Sequence, residues 1–246
     1  MTKITILING AFGKMGKATI DAIANESDLH LMATTSRGDD LAKAIRQHRP
    51  DVVIDWTTPD SVFENTQTII AAGARPVVGT TGLTTAQIEL LSTQCAEKKL
   101  GGIIAPNFSI GAILMMKYAQ DAARYFPDVE IIEYHHPKKL DAPSGTARKT
   151  AELIAKTKQA KNTSTPIDAG LKNKASRGED CHGIPIHALR LTGVFANQTV
   201  IFGDAGETFS IQHNATDRSA MMPGLFLCCR KVMTLDQLVY GMESFV

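Results

Sequence analysis

The run KITILIN, Lys3 to Asn9, is apolar and rich in β-branched residues, and it stops abruptly at Gly10-Ala11-Phe12-Gly13-Lys14-Met15-Gly16 before the helical stretch ATIDAIAN. Strand, glycine turn and helix in that order constrain the fold more than any other feature of the chain. The same alternation continues downstream. Leu29 to Thr35, Val52 to Trp56, Pro76 to Val78 and Gly101 to Ala105 read as further strands, with helical stretches around Leu41 to Gln47 and Phe63 to Ala72. Strands alternating with helices predict an α/β fold whose N-terminal part is a doubly wound, Rossmann-type parallel sheet.

Gly10, Gly13 and Gly16 space out as G-x-x-G-x-x-G between the first strand and its helix. Without a Cβ, this backbone lets a pyrophosphate come close, and the helix N-terminus favours its charge. Lys14 and Met15 lie inside the same loop, and Lys14 is in reach of a phosphate or of solvent. At the end of the second strand, where an acidic residue would hold a ribose 2′-hydroxyl, stand Ser36 and Arg37. A guanidinium there accepts a 2′-phosphate, which predicts NADPH as at least as good a ligand as NADH; the alternative is a solvated loop charge. Gly79-Thr80-Thr81-Gly82 follows the fourth strand at the carboxyl edge of the sheet, where ligands of open α/β folds bind.

The densest chemistry lies in EYHHPKKLDAPSGTA, Glu133 to Ala147. EIIEY before it reads as a strand end, and TARKTAELIAKTK after it has helical spacing. The loop between them sets His135, His136, Lys138 and Lys139 beside a helix N-terminus, a place suited to a carboxylate or phosphate. Ser144 or Asp141 capping the helix explains part of the same pattern without a ligand. His135 and Lys139 have the types needed to offset negative charge on a bound ligand and to supply a proton.

Every fixed position of E-x-H-H-x-x-K-x-D-A-P-S-G-T-A is met between Glu133 and Ala147, and the chain resembles the 4-hydroxy-tetrahydrodipicolinate (dihydrodipicolinate) reductase family on that motif. The glycine loop, VGTTG at Val78 to Gly82 and APNFSIG at Ala105 to Gly111 follow in the family's order. The resemblance implies an NAD(P)H-dependent reductase of lysine and diaminopimelate biosynthesis that converts 4-hydroxy-tetrahydrodipicolinate to tetrahydrodipicolinate with loss of water. It implies His135 and Lys139 as catalytic residues, the proton coming from Lys139, His135 or water. It also implies His136, Gly145 and Thr146 at the substrate, and Gly79, Thr80, Thr81, Asn107 and Phe108 with the glycine loop at the cofactor. A homotetramer is implied as well, paired through the second domain. Gln198 stands where histidine is common in the family, so no role is carried over to it.

Motif order predicts a dinucleotide-binding domain of residues 1–106 with 218–246, the tail folding back by resemblance. A second α+β domain, residues 107–217, has a mixed sheet for substrate and oligomerisation. Ser109 to Tyr125 and Arg218 to Lys231 read as helical. The later runs IPIHALRL, TVIFG and ETFSIQHNA suit antiparallel strands, and the polar stretch Lys156 to Gly183 suits exposed loop.

A net charge of +1 gives no general attraction to nucleic acid or an anionic membrane. No run approaches the roughly twenty apolar residues of a membrane span, and no basic leader precedes the first strand, so a cytoplasmic protein is expected. Cys95, Cys181, Cys228 and Cys229 lack C-x-x-C pairing and suit reduced core thiols. No partners at ligand spacing accompany His135 and His136, which argues against a metal site, and the remaining histidines suit structural or surface roles. Two other readings fit the same domains: another two-domain NAD(P)-dependent dehydrogenase, and a non-catalytic NADPH-binding regulator.

Overall fold

The computed structural model describes residues 3–159 and 174–246, which divide into two compact units, Met1–Ile110 with Arg218–Val246, and Gly111–Asp217. In the first unit β1 (Ile4–Asn9), α1 (Lys14–Ile23), β2 (Leu29–Thr35), α2 (Leu41–His48), β3 (Val52–Asp55), α3 (Val62–Ala71), β4 (Arg75–Val78), α4 (Thr85–Lys98) and β5 (Gly102–Ile104) alternate as the periodicity predicts. β3 is buried at every position and β1 from Ile6 onward, the near-continuous apolar pattern of a sheet covered on both faces. α4, which the periodicity left unnamed, starts at a capping box in which Thr84 and Gln87 satisfy each other's backbone N–H groups.

The tail completes this unit. The helical stretch expected from Arg218 begins as a 3-10 turn, Arg218–Met221, before α7 (Met222–Lys231). A last strand, β11 (Leu238–Tyr240), then joins the sheet parallel to β5. The order is β11-β5-β4-β3-β1-β2, with the reversal between β1 and β3 that creates a ligand crevice at the carboxyl edge. Arg230 ties the tail to the α1–β2 turn by bonding Asp28 and Glu26. Gly224 is needed there, because a Cβ would sit 2.0 Å from the Phe108 carbonyl oxygen.

The second unit is a mixed sheet, β10-β9-β6-β8-β7, with α5 (Ile110–Ala122) and α6 (Gly145–Gln159). Its strands are β6 (Asp128–His135), β7 (Glu179–Cys181), β8 (Ile184–Arg190), β9 (Ala196–Asp204) and β10 (Glu207–Ala215). α6 buries Ala147, Thr150, Ala151 and Ile154 at helical spacing and packs on β6, β7 and β8.

Two expectations need correction here. β8 pairs antiparallel with β7 as expected but runs parallel to β6, because α6 carries the chain across between them; β9 and β10 are antiparallel as expected. Nor is Lys156 to Gly183 all exposed loop. α6 runs on to Gln159, and Lys158 is buried because its ammonium donates to the carbonyls of Phe126 and Pro127. Cys181, on β7, is buried too. Residues 160–173 of that stretch lie outside the described residues. All four cysteines are free and buried, and burial pushes Cys95 up to about 11 and Cys228 up to about 12, so these stay thiols at neutral pH.

Candidate active site

The glycine loop of the first unit is a close-packed cradle. Gly10 adopts a φ of +85°, and a Cβ there would meet the Trp56 carbonyl oxygen at 2.5 Å. A Cβ at Gly16 would meet the Gly10 carbonyl oxygen at 2.4 Å. Gly13 is the N-cap of α1 and supplies no side-chain cap, and the first turn of α1 holds no acidic residue. That helix end therefore keeps its dipole and amides available, whereas α4 satisfies its own with Thr84. Lys14 is exposed beside it, Met15 is half-buried, and Arg37 is exposed just beyond β2. These residues fit a dinucleotide's phosphates.

Under the loop, the carboxyl ends of four strands are joined by one polar cluster. Register places Thr35, Asn9, Asp55 and Val78 side by side across β2, β1, β3 and β4. Thr35 donates to the Asn9 carbonyl at 2.9 Å, and Asn9 donates to Asp55 at 2.9 Å. Asp55, completely buried, also accepts from the hydroxyl and backbone N–H of Thr57, from Asn65, and from the Thr80 hydroxyl at 2.7 Å. The Thr80 hydroxyl is thus committed to Asp55, while Thr81 is exposed. Gly79 lies against the Trp56 ring, whose indole N–H donates to Thr19 and which meets Phe108 edge-on at 5.5 Å. Asn107 is half-buried and accepts from the Ser109 N–H at 2.8 Å.

In the second unit the motif of Glu133 to Ala147 spans the end of β6, a loop and the first turn of α6. His135 ends β6, and its Nδ1 contacts the carboxylate of Glu133, which is completely buried. Lys139 Nζ pairs with Asp141 at 2.6 Å, and Lys138 is exposed. His136 lies 6.4 Å from the Phe195 ring, centroid to centroid. Ser144 caps α6 by accepting from the Ala147 N–H at 3.3 Å, so its capping role is realised. Thr146 is half-buried. Gly145 is exposed, has no left-handed φ, and a Cβ on it would meet nothing within 4 Å. Neither backbone nor packing demands glycine there.

Two residues of this site escaped the sequence reading. Glu133 is the buried partner of His135, and the signal was present: residues two apart on a strand share a face. Arg190 donates to Glu133 at 2.9 Å and to the Asp141 carbonyl at 2.6 Å. No local signal marks it, since the contact depends on β8 lying parallel to β6. Burial pushes Glu133 up, but the hydrogen bonds from His135 and Arg190 outweigh it and hold the carboxyl below its ordinary range. Among the described residues no cluster of three or more His, Cys, Asp or Glu is arranged for a metal, and no helix is long and apolar enough to cross a membrane.

A switch-point sheet with an uncapped glycine-loop helix, and a second unit carrying a histidine and a lysine at an anion-favouring helix start, define a nicotinamide-dependent oxidoreductase. Family models match both parts: "Dihydrodipicolinate reductase, N-terminus" over residues 4–108 and "Dihydrodipicolinate reductase, C-terminus" over residues 111–246. The chain is 57% identical over 243 residues, 99% of each chain, to the 4-hydroxy-tetrahydrodipicolinate reductase of Coxiella burnetii. It is 50% identical to that of Legionella pneumophila, over 98% of each chain. It also superposes, with a TM-score of 0.90 and 38% identity over 100% of both chains, on a dipicolinate-bound dihydrodipicolinate reductase from Paenisporosarcina sp. TG-14. The chain belongs to the dihydrodipicolinate reductase family.

Proposed function

We propose that this chain reduces 4-hydroxy-tetrahydrodipicolinate to tetrahydrodipicolinate, with loss of water, in the cytoplasm, as a step of lysine and diaminopimelate synthesis. The observation that carries the reading is the meeting of His135, Lys139 and a ligand-open Gly145 on one loop and helix start, in a chain of this family. The relative from Paenisporosarcina is described with dipicolinate bound, a flat ring with two carboxylates of the same chemical kind.

Reduced nicotinamide supplies the hydride. In this reading Gly10, Gly13, Lys14, Met15 and Gly16 hold the pyrophosphate, Arg37 the 2′-phosphate of NADPH, and Gly79, Thr80, Thr81, Asn107 and Phe108 the nicotinamide end. Because the Thr80 side chain is spent on Asp55, Thr80 contributes its backbone and Thr81 its exposed hydroxyl. In the second unit the N–H groups of Gly145 and Thr146 and the ring of His136 hold the substrate's carboxylates. Lys139 offsets the negative charge that hydride arrival builds on the ring, and Lys139 or His135 delivers the proton. Residues 1–106 with 218–246 serve as the cofactor domain and 107–217 as the substrate and assembly domain. The outward face of β10, exposed at Thr208 and Ser210, suits the pairing of subunits in a homotetramer.

The decisive experiment supplies substrate freshly made from pyruvate and aspartate semialdehyde by the preceding synthase and follows loss of the near-ultraviolet absorbance of NADPH, then NADH. Rapid oxidation that needs every component is expected. No oxidation by folded protein that still binds NADPH would overturn the reading.

A further inference from the structure

We infer that Glu133 and Arg190 are positioning residues, a carboxylate–guanidinium pair that fixes both the ring of His135 and the loop carrying Lys139. The inference rests on the reading of His135 and Lys139 as the acting pair.

The pairing follows from strand register. Glu133 and His135 are two apart on β6 and share a face, and Arg190 lies opposite His135 on the parallel strand β8. The backbone locks the two strand ends together, the Leu191 N–H donating to the His135 carbonyl at 2.9 Å. Glu133 sits two residues from Ile131, which is equally buried, so an apolar side chain would suit the fold. A buried ion pair is weak support for stability, since desolvating both charges offsets most of their attraction. What the pair does supply is a unique arrangement.

Each oxygen of Glu133 has one partner. Oε2 faces His135 Nδ1, and Oε1 accepts from Arg190 Nη2. An ionised carboxylate only accepts, so the ring proton is held on Nδ1, and Nε2 is left as the nitrogen that exchanges protons. The guanidinium then reaches the loop: Nη2 also donates to the Asp141 carbonyl at 2.6 Å, Nε to the Lys139 carbonyl at 3.4 Å, and Nη1 to the Leu189 carbonyl at 2.8 Å. Arg190 thus bonds the main chain on either side of Leu140, whose side chain is 96% exposed. A planar fork with five donors meets this set of acceptors; an ammonium does not. One pair therefore couples the tautomer of the histidine to the backbone that carries the lysine.

The test uses Glu133→Gln and Arg190→Lys in the full-length enzyme. Nitrogen NMR of His135, read without substrate, should show the Nδ1–H tautomer in the wild type and a mixture of tautomers in Glu133→Gln. The kcat of Glu133→Gln should fall by about 10- to 100-fold while KM and the NADPH dissociation constant stay within about threefold, as expected of a partner that orients a catalytic group. Arg190→Lys keeps the charge beside Glu133 but loses the fork, so the tautomer should persist while kcat falls by about tenfold. Unchanged tautomer and kcat in Glu133→Gln would overturn the role of Glu133, and full activity in Arg190→Lys that of the loop clamp. If Glu133→Gln does not fold, Arg190→Lys together with the wild-type tautomer decides the matter. Wild-type protein that shows the Nδ1–H tautomer but no turnover would remove the functional reading and leave the geometry standing.

Discussion

Lys139 Nζ lies 2.6 Å from Asp141 Oδ1, so the cation proposed here to offset charge on the ring is paired with a carboxylate on its own loop. The Lys139 hydrogen bond, more than any other contact, holds Asp141 below its ordinary range, and the backbone N–H of Gly145 adds to it. These are the donors that a substrate carboxylate needs. On the proposed reading, a dianionic substrate competes with Asp141 for them. Asp141→Asn should bind dipicolinate about fivefold more tightly, the Coulomb cost of displacing one partly exposed charge being about 1 kcal/mol. Calorimetric titration checks this; weaker binding would mean that Asp141 orients Lys139 for the ligand rather than competing with it.

Gly145 separates folding from binding. Since a Cβ there meets nothing within 4 Å and φ is ordinary, Gly145→Ala should leave the melting temperature unchanged or slightly raised. On the proposed reading, the methyl group would instead crowd the substrate. KM for the cyclic substrate should rise by about tenfold or more, corresponding to one lost charge-assisted hydrogen bond of roughly 1.5 kcal/mol. An unchanged KM would take Gly145 out of the substrate site.

Asp55 is expected to matter to both stability and cofactor. Asp55→Ala removes the acceptor of the buried Asn9 amide and leaves the Thr80 hydroxyl only the longer contact, 3.3 Å, to the backbone carbonyl of residue 55. The cost should be about 2–4 kcal/mol, or about 5–15 °C in melting temperature for a chain of this size. Because Thr80 is released with it, NADPH affinity should fall even at temperatures where the variant is folded, as fluorescence titration of Trp56 would report.

Arg37 is exposed just beyond β2, and the N–H of Ser36 before it donates to the Asp39 carboxylate at 2.8 Å. Arg37→Ala should weaken NADPH about tenfold and leave NADH nearly unchanged, the share of one charge-assisted contact to a 2′-phosphate. Equal losses for the two cofactors would remove that role. Parallel dissociation constants decide it.

The response to acid follows from the depressed carboxyls. Asp28, Glu130, Glu133, Asp141 and Glu152 all lie below their ordinary values, held by Arg230 for Asp28, by Arg177 and His187 for Glu130, and by lysines or the site pair for the others. A lowered folded-state value contributes stability that is fully present above the unfolded value, about 3.9–4.3, and is lost as pH falls through the folded one. Melting temperature should therefore change little from about pH 7 to 5 on account of these groups, then drop below about pH 4. Arg230→Ala should cost about 1 kcal/mol or less near neutrality, because its pairs are partly exposed and screened, and the difference from wild type should shrink in acid.

Much of this architecture is readable along the chain because it is written locally. Five β-branched or apolar residues, Ile4 to Ile8, and the strand–loop–helix change around His135 place β1, β6 and α6 to within a residue or two, while α1 starts at Lys14, inside the glycine loop and four residues before the helical stretch read from ATIDAIAN. Elements whose formation depends on distant neighbours were less visible. β11 is three residues long and pairs along the edge of β5, and the buried Lys158 donates to the carbonyls of Phe126 and Pro127, more than thirty positions away.

The sequence alone determined the alternation of strands and helices, the glycine cradle, and the set of polar residues gathered between Glu133 and Ala147, since periodicity, backbone freedom and capping act over a few residues. Tertiary structure decided what those residues are bonded to. Asp55 collects donors from a strand, a helix and the loops after two strands, and Arg190 reaches Glu133 across 57 positions of chain. Both contacts depend on parallel register, which is set by burying one whole sheet face against its helices, an energy spread over the entire unit and carried by no single stretch of sequence.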